Sequence, residues 1–174
     1  VHFSQIHFAH LSYHIKQPVD YVNLFIGTEK SSPHTVWESR GATFPGVLRP
    51  FGMVQITPNG YMYSDKKIQS FSFINHASGY FSTGSFNLMA FTGDSIGKEK
   101  IAGNFDHANE MATPYCYQVI LKNSGINAAF TATERTALCT FTFTQSATGH
   151  FVLSDITNAI VIDSNTISAP CQGY

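Results

Sequence analysis

The chain has 174 residues, 43% of them hydrophobic, which suffices to bury the core of one domain and argues against a disordered chain. Charged residues make up only 12%, and the formal net charge is -1 without an extended basic run, so the sequence lacks the basic surface of nucleic-acid and anionic-membrane binders. No apolar run approaches the roughly 18 residues of a membrane span.

The first seventeen residues differ in pattern from the rest. Apolar residues roughly mark one helical face, and no basic segment precedes them as in a signal peptide. His7, His10 and His14 share that face and suggest zinc, but without a carboxylate or thiol beside them a solvated face is the favoured interpretation and no metal site is assigned. We interpret residues 1–17 as an appendage, either helical or disordered, that ends near Pro18.

The segment after Pro18 alternates short apolar runs with long loops rich in glycine, serine and proline. One loop is expected to be stiff: in "GATFPGVLRPFGMVQITP", Pro45 and Pro50 fix φ, and Gly46 permits close backbone approach. Such a loop presents its main chain to a ligand or forms a rigid turn under the sheet, and the sequence leaves both open. Candidate strands lie at Tyr21–Phe25, Met53–Thr57, Ile68–Ile74 and Phe86–Phe91.

The second half has a clear period of two. Tyr115, Tyr117, Val119 and Leu121 share one face, a turn with Gly125 at a position suited to positive φ follows, and "INAAFTAT" alternates in the same way. In "ALCTFTFT", Ala137, Cys139, Phe141 and Phe143 are predicted to point inward, and "HFVLSD" and "AIVID" continue the pattern. Short alternating strands at near-regular spacing predict an antiparallel β-sandwich over residues 18–174.

Two groups of residues invite a chemical interpretation. Asp106, His107 and Glu110 lie within five residues, and a pair of carboxylates is what glycoside hydrolysis requires. A solvated loop that hydrogen-bonds its own backbone is the favoured alternative. The three cysteines, Cys116, Cys139 and Cys171, are far apart, so at most one disulfide forms within the chain, and the sequence does not determine which.

Four stretches occur in the order in which glycoside hydrolases of family 92 have them. They are "DYVNLFIGT" (Asp20–Thr28), "TFPGVLRPFGMVQITP" (Thr43–Pro58), "GYMYSD" (Gly60–Asp65) and the run from "FDHANEMATPY" to "TALCTFTF" (Phe105–Phe143). The chain therefore resembles the α-mannosidases of that family over residues 18–163.

This resemblance implies an exo-α-mannosidase that is calcium-dependent, secreted or periplasmic, and acts with inversion on mannose-containing glycans. It implies an N-terminal β-sandwich of the supersandwich type packed on an (α/α)6 barrel. The general acid, the general base and most calcium ligands of the family belong to the barrel. We therefore expect no catalytic residue and no metal ligand in this chain, no activity from it alone, and a sandwich that is incomplete at its C-terminal end.

The resemblance also nominates site residues. The "TFPG" motif suggests sugar-binding roles for Thr43, Phe44, Pro45 and Gly46 at the interface with the barrel. The family's "HxSG" motif is matched by "NHASGY", which adds four further substrate-binding candidates, although Tyr80 and Phe81 replace residues that are small in the family. These candidates are His76, Ser78, Gly79 and Tyr80. His107 and Glu110 are interpreted as interface or loop-ordering residues.

Two other classes of function remain open. A stand-alone carbohydrate-binding module would present exposed aromatic rings, for which Trp37, Tyr61, Tyr63 and Tyr80 are the candidates. A purely structural partner domain would bind no sugar and would expose an apolar patch where another domain docks.

Overall fold

The computed structural model describes residues 16–29, 43–73, 76–77, 82–83, 86–93, 101–145 and 148–170, with backbone alone at 76–77 and 82–83. Within these ranges two short 3-10 helices occur, at Pro18–Tyr21 and His107–Asn109. The strands in chain order are β1 Val47–Leu48, β2 Gln55–Pro58, β3 Lys67–Ile68, β4 Phe71–Phe73, β5 His76–Ala77, β6 Ser82–Thr83, β7 Phe86–Thr92, β8 Gly103–Asn104, β9 Glu110–Thr113, β10 Cys116–Leu121, β11 Ile126–Ala132, β12 Ala137–Phe143, β13 Gly149–Ser154, β14 Ile160–Asp163 and β15 Thr166–Ser168.

A four-stranded antiparallel sheet consists of β9 to β12, which pair in chain order. The predicted hairpin is confirmed: Leu121 pairs with Ile126 across the turn, and Gly125 has φ of 63°. Burial alternates along β10 as predicted: Tyr117, Val119 and Leu121 are buried, and the residues between them have intermediate or high exposure. Pattern and turn chemistry together therefore determine the register of this sheet.

The second large sheet has five antiparallel strands in the order β1-β2-β4-β7-β13. Its last strand, β13, follows the four strands of the other sheet along the chain. It nevertheless pairs with β7, with Ser154 opposite Asn87. Three smaller two-stranded sheets, β3 with β8, β5 with β6, and β14 with β15, complete the described structure. The predicted antiparallel β-sandwich is thereby confirmed, with consecutive strands in one layer and a crossover into the other.

The core lies between the two large sheets. Phe71 of β4 packs on Phe130 of β11 with ring centroids 4.4 Å apart. The rings of Phe71 and Tyr117 of β10 meet in an edge-to-face arrangement, with centroids 6.3 Å apart. Val47 and Ile56 bring β1 and β2 into the same apolar cluster. Burial of these side chains supplies the main stabilisation of the sandwich. Cys139, Phe141 and Phe143 of β12 are half-buried against this core, as the inward parity predicted.

Three strand predictions need correction. The segment Tyr21–Phe25 is not a strand: a 3-10 helix begins at Pro18, Gln17 N–H donates to the Asp20 carboxylate, and Asn23 accepts from the Phe25 N–H. Local side-chain hydrogen bonds of this kind favour turns over strands. Tyr115 precedes β10 and is exposed, and Ala137, the first residue of β12, is exposed as well.

The β14–β15 hairpin stands apart from the core. Ile160, Val161, Ile162 and Ile167 are each more than half exposed. An apolar hairpin in water is marginally stable without a covering surface. In the described part of the chain, no helix is long and apolar enough to cross a membrane. The appendage predicted at residues 1–17 lies outside the described residues except for its last two positions.

Candidate functional site

A groove of about 340 Å³ runs beside the stiff loop that the sequence singled out. Thr43 and Phe44 line one side of it, and the Asn23–Ile26 turn and Gln55 of β2 line the rest. The Thr43 hydroxyl donates to the carbonyl of Ile26 at 2.6 Å and so ties the loop to that turn. A shallow groove with an aromatic ring, two carboxamides and a hydroxyl has the mixed polar and apolar lining typical of small-ligand sites.

The other half of the "TFPG" motif has a structural role. Pro45 is buried, and its carbonyl accepts a hydrogen bond from the buried Thr57 hydroxyl at 3.2 Å. A Cβ added to Gly46 would overlap the carbonyl oxygen of Ile56 and come within 3.1 Å of the Thr57 Cβ. The motif therefore divides into two parts: Thr43 and Phe44 face the groove, while Pro45 and Gly46 pack against β2.

His107 and Glu110, which the sequence grouped together, do meet, and two distant tyrosines join them. The Glu110 side chain is fully buried. Its Oε1 accepts from the Tyr117 hydroxyl at 2.6 Å, and its Oε2 accepts from the Tyr61 hydroxyl at 3.0 Å and lies 2.7 Å from His107 Nδ1. The carboxylate thus connects β9, β10 and the loop after β2 through charge-assisted hydrogen bonds.

The imidazole of His107 is held on its second nitrogen as well. Nε2 lies 2.6 Å from the carbonyl oxygen of Tyr63, which can only accept a hydrogen bond. With Nδ1 against a carboxylate, the arrangement needs protons on both ring nitrogens or one proton on Glu110. The ring stacks on Tyr63 and meets the edges of Phe25 and Phe105.

The buried carboxylate affects the two tyrosines electrostatically. Burial, and then the charge of Glu110, raises the pKa of Tyr61 far above its ordinary value, and the same two causes raise the pKa of Tyr117. Both hydroxyls therefore remain protonated donors throughout the physiological range. This arrangement suits the ordering of loops, since Glu110 has no side-chain surface in contact with solvent.

Of the aromatic residues nominated as a sugar platform, the two that the structure describes, Tyr61 and Tyr63, do not form one. Tyr61 is buried, which removes it from any exposed platform. One face of the Tyr63 ring is covered by His107, at a centroid distance of 3.9 Å and an interplanar angle of 4°. Trp37 and Tyr80 lie outside the described residues, so the platform prediction is wrong for Tyr61 and stays a prediction for those two.

Asp106 and Glu110 do not share a site that a substrate can enter. Asp106 contacts the Lys122 ammonium group and accepts from the Asn109 amide at 2.8 Å. These contacts, that of Lys122 first, lower the pKa of the Asp106 carboxyl. Glu110 is enclosed in the interior by two tyrosine hydroxyls and the His107 ring, so the pair lacks the open geometry of a hydrolytic site.

The remaining candidates fall outside what the structure describes. Ser78, Gly79 and Tyr80 lie outside the described residues, and His76 is described only by its backbone position at the start of β5. Conversely, the groove-lining residues Asn23, Leu24, Ile26 and Gln55 were not predicted. No sequence pattern pointed to these four residues.

The described residues also bear on calcium, which the resemblance implies. Among them, no cluster of three or more histidine, cysteine, aspartate or glutamate side chains is arranged to hold a metal ion. Calcium prefers six to eight oxygen ligands, several of them carboxylates. The described part of the chain does not fit that requirement.

The fold and groove define an antiparallel β-sandwich domain with an open surface site. The model of the glycosyl hydrolase family 92 N-terminal domain matches residues 21–170. The chain therefore belongs to glycosyl hydrolase family 92, as its N-terminal domain. No curated protein was found to match it.

Solved structures agree with this assignment. The inverting family 92 mannosidase BT2199 of Bacteroides thetaiotaomicron is 31% identical, with a TM-score of 0.67 over 80% of this chain and 20% of that one. The α-mannosidase BT3965 of the same organism, solved with mannoimidazole, is 27% identical with a TM-score of 0.58 over 72% and 18%. The glycosyl hydrolase CcMan5, 24% identical, shares the fold with a TM-score of 0.64 over 78% and 20%. The chain thus spans about a fifth of the length of these structures.

Proposed function

We propose that the chain is the N-terminal β-sandwich portion of a secreted, calcium-dependent α-mannosidase that acts with inversion on mannose-containing glycans. In this proposal it packs on an (α/α)6 catalytic domain, contributes one wall of the sugar pocket and has no catalytic residue of its own. Membership of the family and likeness to two Bacteroides mannosidases support it.

The groove is the observation that carries the binding part of the proposal. Phe44 offers an apolar ring to the CH face of a pyranose, and the carboxamides of Asn23 and Gln55 suit hydroxyl groups. The Thr43 hydroxyl donates to Ile26, so its oxygen lone pairs are oriented to accept from a ligand. Because Pro45 and Gly46 are fixed against β2, the groove wall is organised before a ligand arrives.

Hydrolysis of a chromogenic α-mannoside tests the whole proposal. We expect turnover by the full-length protein loaded with calcium, loss of turnover after chelation, and none from the 174-residue chain. Turnover by the 174-residue chain alone would contradict the proposal and would place the catalytic residues within this chain.

A stand-alone carbohydrate-binding module is the second candidate, and the same groove favours it. Titration of the 174-residue chain with methyl α-mannoside, followed by NMR, separates the two. Millimolar binding that Gln55→Ala weakens, with Gln118→Ala on β10 as a matched control, would show that the groove recognises sugar unaided. If no NMR resonance shifts at tens of millimolar methyl α-mannoside, sugar binding by the groove requires the catalytic domain.

A further inference from the structure

Phe51 occupies an unusual position in the loop between β1 and β2. Arg49, Pro50, Phe51 and Gly52 form a turn in which the Gly52 N–H donates to the Arg49 carbonyl at 2.7 Å. Phe51 is the third residue of this turn and has φ of 60°, and its side chain is fully exposed. Positive φ at this position is normally supplied by glycine or asparagine.

Two costs therefore coincide at one residue. A bulky side chain in the left-handed region is disfavoured sterically, and a fully exposed phenylalanine gains nothing from burial. The other described non-glycine residues with positive φ are Asp155 and Asn158, whose side chains tolerate that conformation. Strain that persists at an exposed aromatic residue points to a contact made elsewhere.

The turn is held rigidly in place. Met53 N–H donates to the Glu134 carbonyl at 2.7 Å, which ties the loop to the turn between β11 and β12. A Cβ on Gly52 would lie 2.9 Å from the Arg49 carbonyl oxygen, so the chain passes closely at this point. The position of Phe51 is therefore set before any partner binds, which lowers the entropic cost of a contact.

The surroundings of Phe51 suit a protein rather than a sugar. Its sequence neighbours Leu48 and Met53 are also exposed, and these three side chains carry no hydrogen-bonding oxygen or nitrogen. Arg49 and Glu134 form an exposed ion pair at 3.7 Å beside this apolar group, as in the polar rim of an interface. A projecting aromatic side chain with a polar rim is typical of an interface anchor, whereas small ligands bind in concave sites.

The lengths of the relatives suggest what the partner is. The chain matches about a fifth of each solved structure, so the larger part of those proteins is available to cover an exposed surface of the N-terminal domain. We propose that Phe51, flanked by Leu48 and Met53, is an anchor that inserts into an apolar pocket of the segment following the N-terminal domain in the full-length protein. This inference rests on the proposed function in that it takes the following segment to be a docked domain.

The first test separates strain from contact within the domain. In the 174-residue chain, Phe51→Asn removes the aromatic ring and suits positive φ, so we expect the thermal midpoint to rise by about 2 to 6 °C. Phe51→Leu retains the strain and is expected to leave the midpoint unchanged. A fall in the midpoint with Phe51→Asn would show that the ring makes stabilising contacts inside the domain, which overturns the inference.

The second test measures docking in the full-length protein. Limited proteolysis of the connection between the domains reports how often they separate. We expect Phe51→Asn to raise the cleavage rate about tenfold and Leu138→Asn, at another exposed apolar site, on β12, to leave it unchanged. Equal rates for Phe51→Asn and the wild type, or a native protein that ends at Tyr174, would overturn the inference.

An activity assay on the same proteins keeps the two proposals apart. A full-length protein that releases no mannose but is cleaved faster when Phe51 is replaced contradicts the mannosidase proposal and supports the anchor. A full-length mannosidase whose cleavage rate does not respond to Phe51→Asn supports the function and overturns the anchor.

Discussion

Tyr63 stacks face to face on His107, with ring centroids 3.9 Å apart, while its backbone carbonyl accepts from Nε2 of the same imidazole. One residue therefore holds His107 by both its ring and its main chain. Because Nδ1 faces the buried Glu110, the histidine joins the loop after β2 to β9. The predictions below begin with this network.

Replacement of Glu110 by glutamine is expected to destabilise the fold. Oε1 accepts from Tyr117, and Oε2 accepts from Tyr61 and faces His107 Nδ1, so a glutamine NH2 group in place of either oxygen would face a tyrosine hydroxyl that has lost its acceptor. We expect a loss of about 3 kcal/mol in the free energy of unfolding, as for leaving a buried donor without its acceptor. Urea denaturation measures it, and Glu134→Gln, in an exposed pair with Arg49, should cost less than about 0.5 kcal/mol. Equal losses in the two variants would contradict the network's role.

Alkaline pH is expected to unfold the domain through Tyr61 and Tyr117. Their pKa values are raised in the fold, so above about pH 10 the unfolded state releases protons that the folded state retains. The contribution to stability is therefore complete below pH 10 and declines as pH rises above it. Chemical denaturation at pH 8 to 11 measures the slope, which the double variant with phenylalanine at both positions should reduce. An unchanged slope in that variant would argue against these two groups.

The two described cysteines are expected to react slowly in the folded protein. Burial raises the pKa of the Cys139 thiol to about 11 and also raises that of Cys116, so little thiolate is present at neutral pH. Iodoacetamide at pH 8, followed by peptide mass spectrometry, should label both sites much faster in urea than in buffer. Rapid labelling of Cys139 under native conditions would show that β12 opens readily.

Gly46→Ala separates the structural and binding halves of the "TFPG" motif. The new Cβ would overlap the Ile56 carbonyl and force β1 and β2 apart, so we expect a loss of about 2 kcal/mol in unfolding free energy. Thr43→Ala removes one exposed hydrogen bond to Ile26 and should cost about 1 kcal/mol or less. If Thr43→Ala destabilises as much as Gly46→Ala, the proposed division of the motif is wrong.

The parts of the fold that were predictable are those specified by neighbouring residues. The β10–β11 hairpin follows from period-two alternation and from a turn that ends at Gly125, both local properties. The segment Tyr21–Phe25 was predicted as a strand because of its apolar residues. The side chains of Asp20 and Asn23 accept local hydrogen bonds that favour a 3-10 helix and a turn instead. Turn-forming side chains therefore outweigh apolar composition in this segment.

The site was less predictable because its contacts are distant in sequence. The density of ionisable groups singles out His107 and Glu110 in the sequence. No neighbouring residue indicates that Tyr61, 49 residues before Glu110, donates a hydrogen bond to it. The groove depends in the same way on the meeting of the Asn23–Ile26 turn, the Thr43 loop and Gln55. Such meetings arise from packing of the two sheets, which a single sequence without aligned relatives does not specify.

The two large sheets differ in how far apart their strands lie along the chain, and this has a consequence for folding. The sheet of β9 to β12 closes through successive hairpins, whereas the other sheet is completed only when its edge strand β13 pairs with β7, which precedes β9 to β12 in the chain. Short loops close at lower entropic cost than long ones, so we expect amide protons of β10 and β11 to gain protection first in pulsed hydrogen exchange. A nascent chain would then complete its second layer only after β13 has left the ribosome.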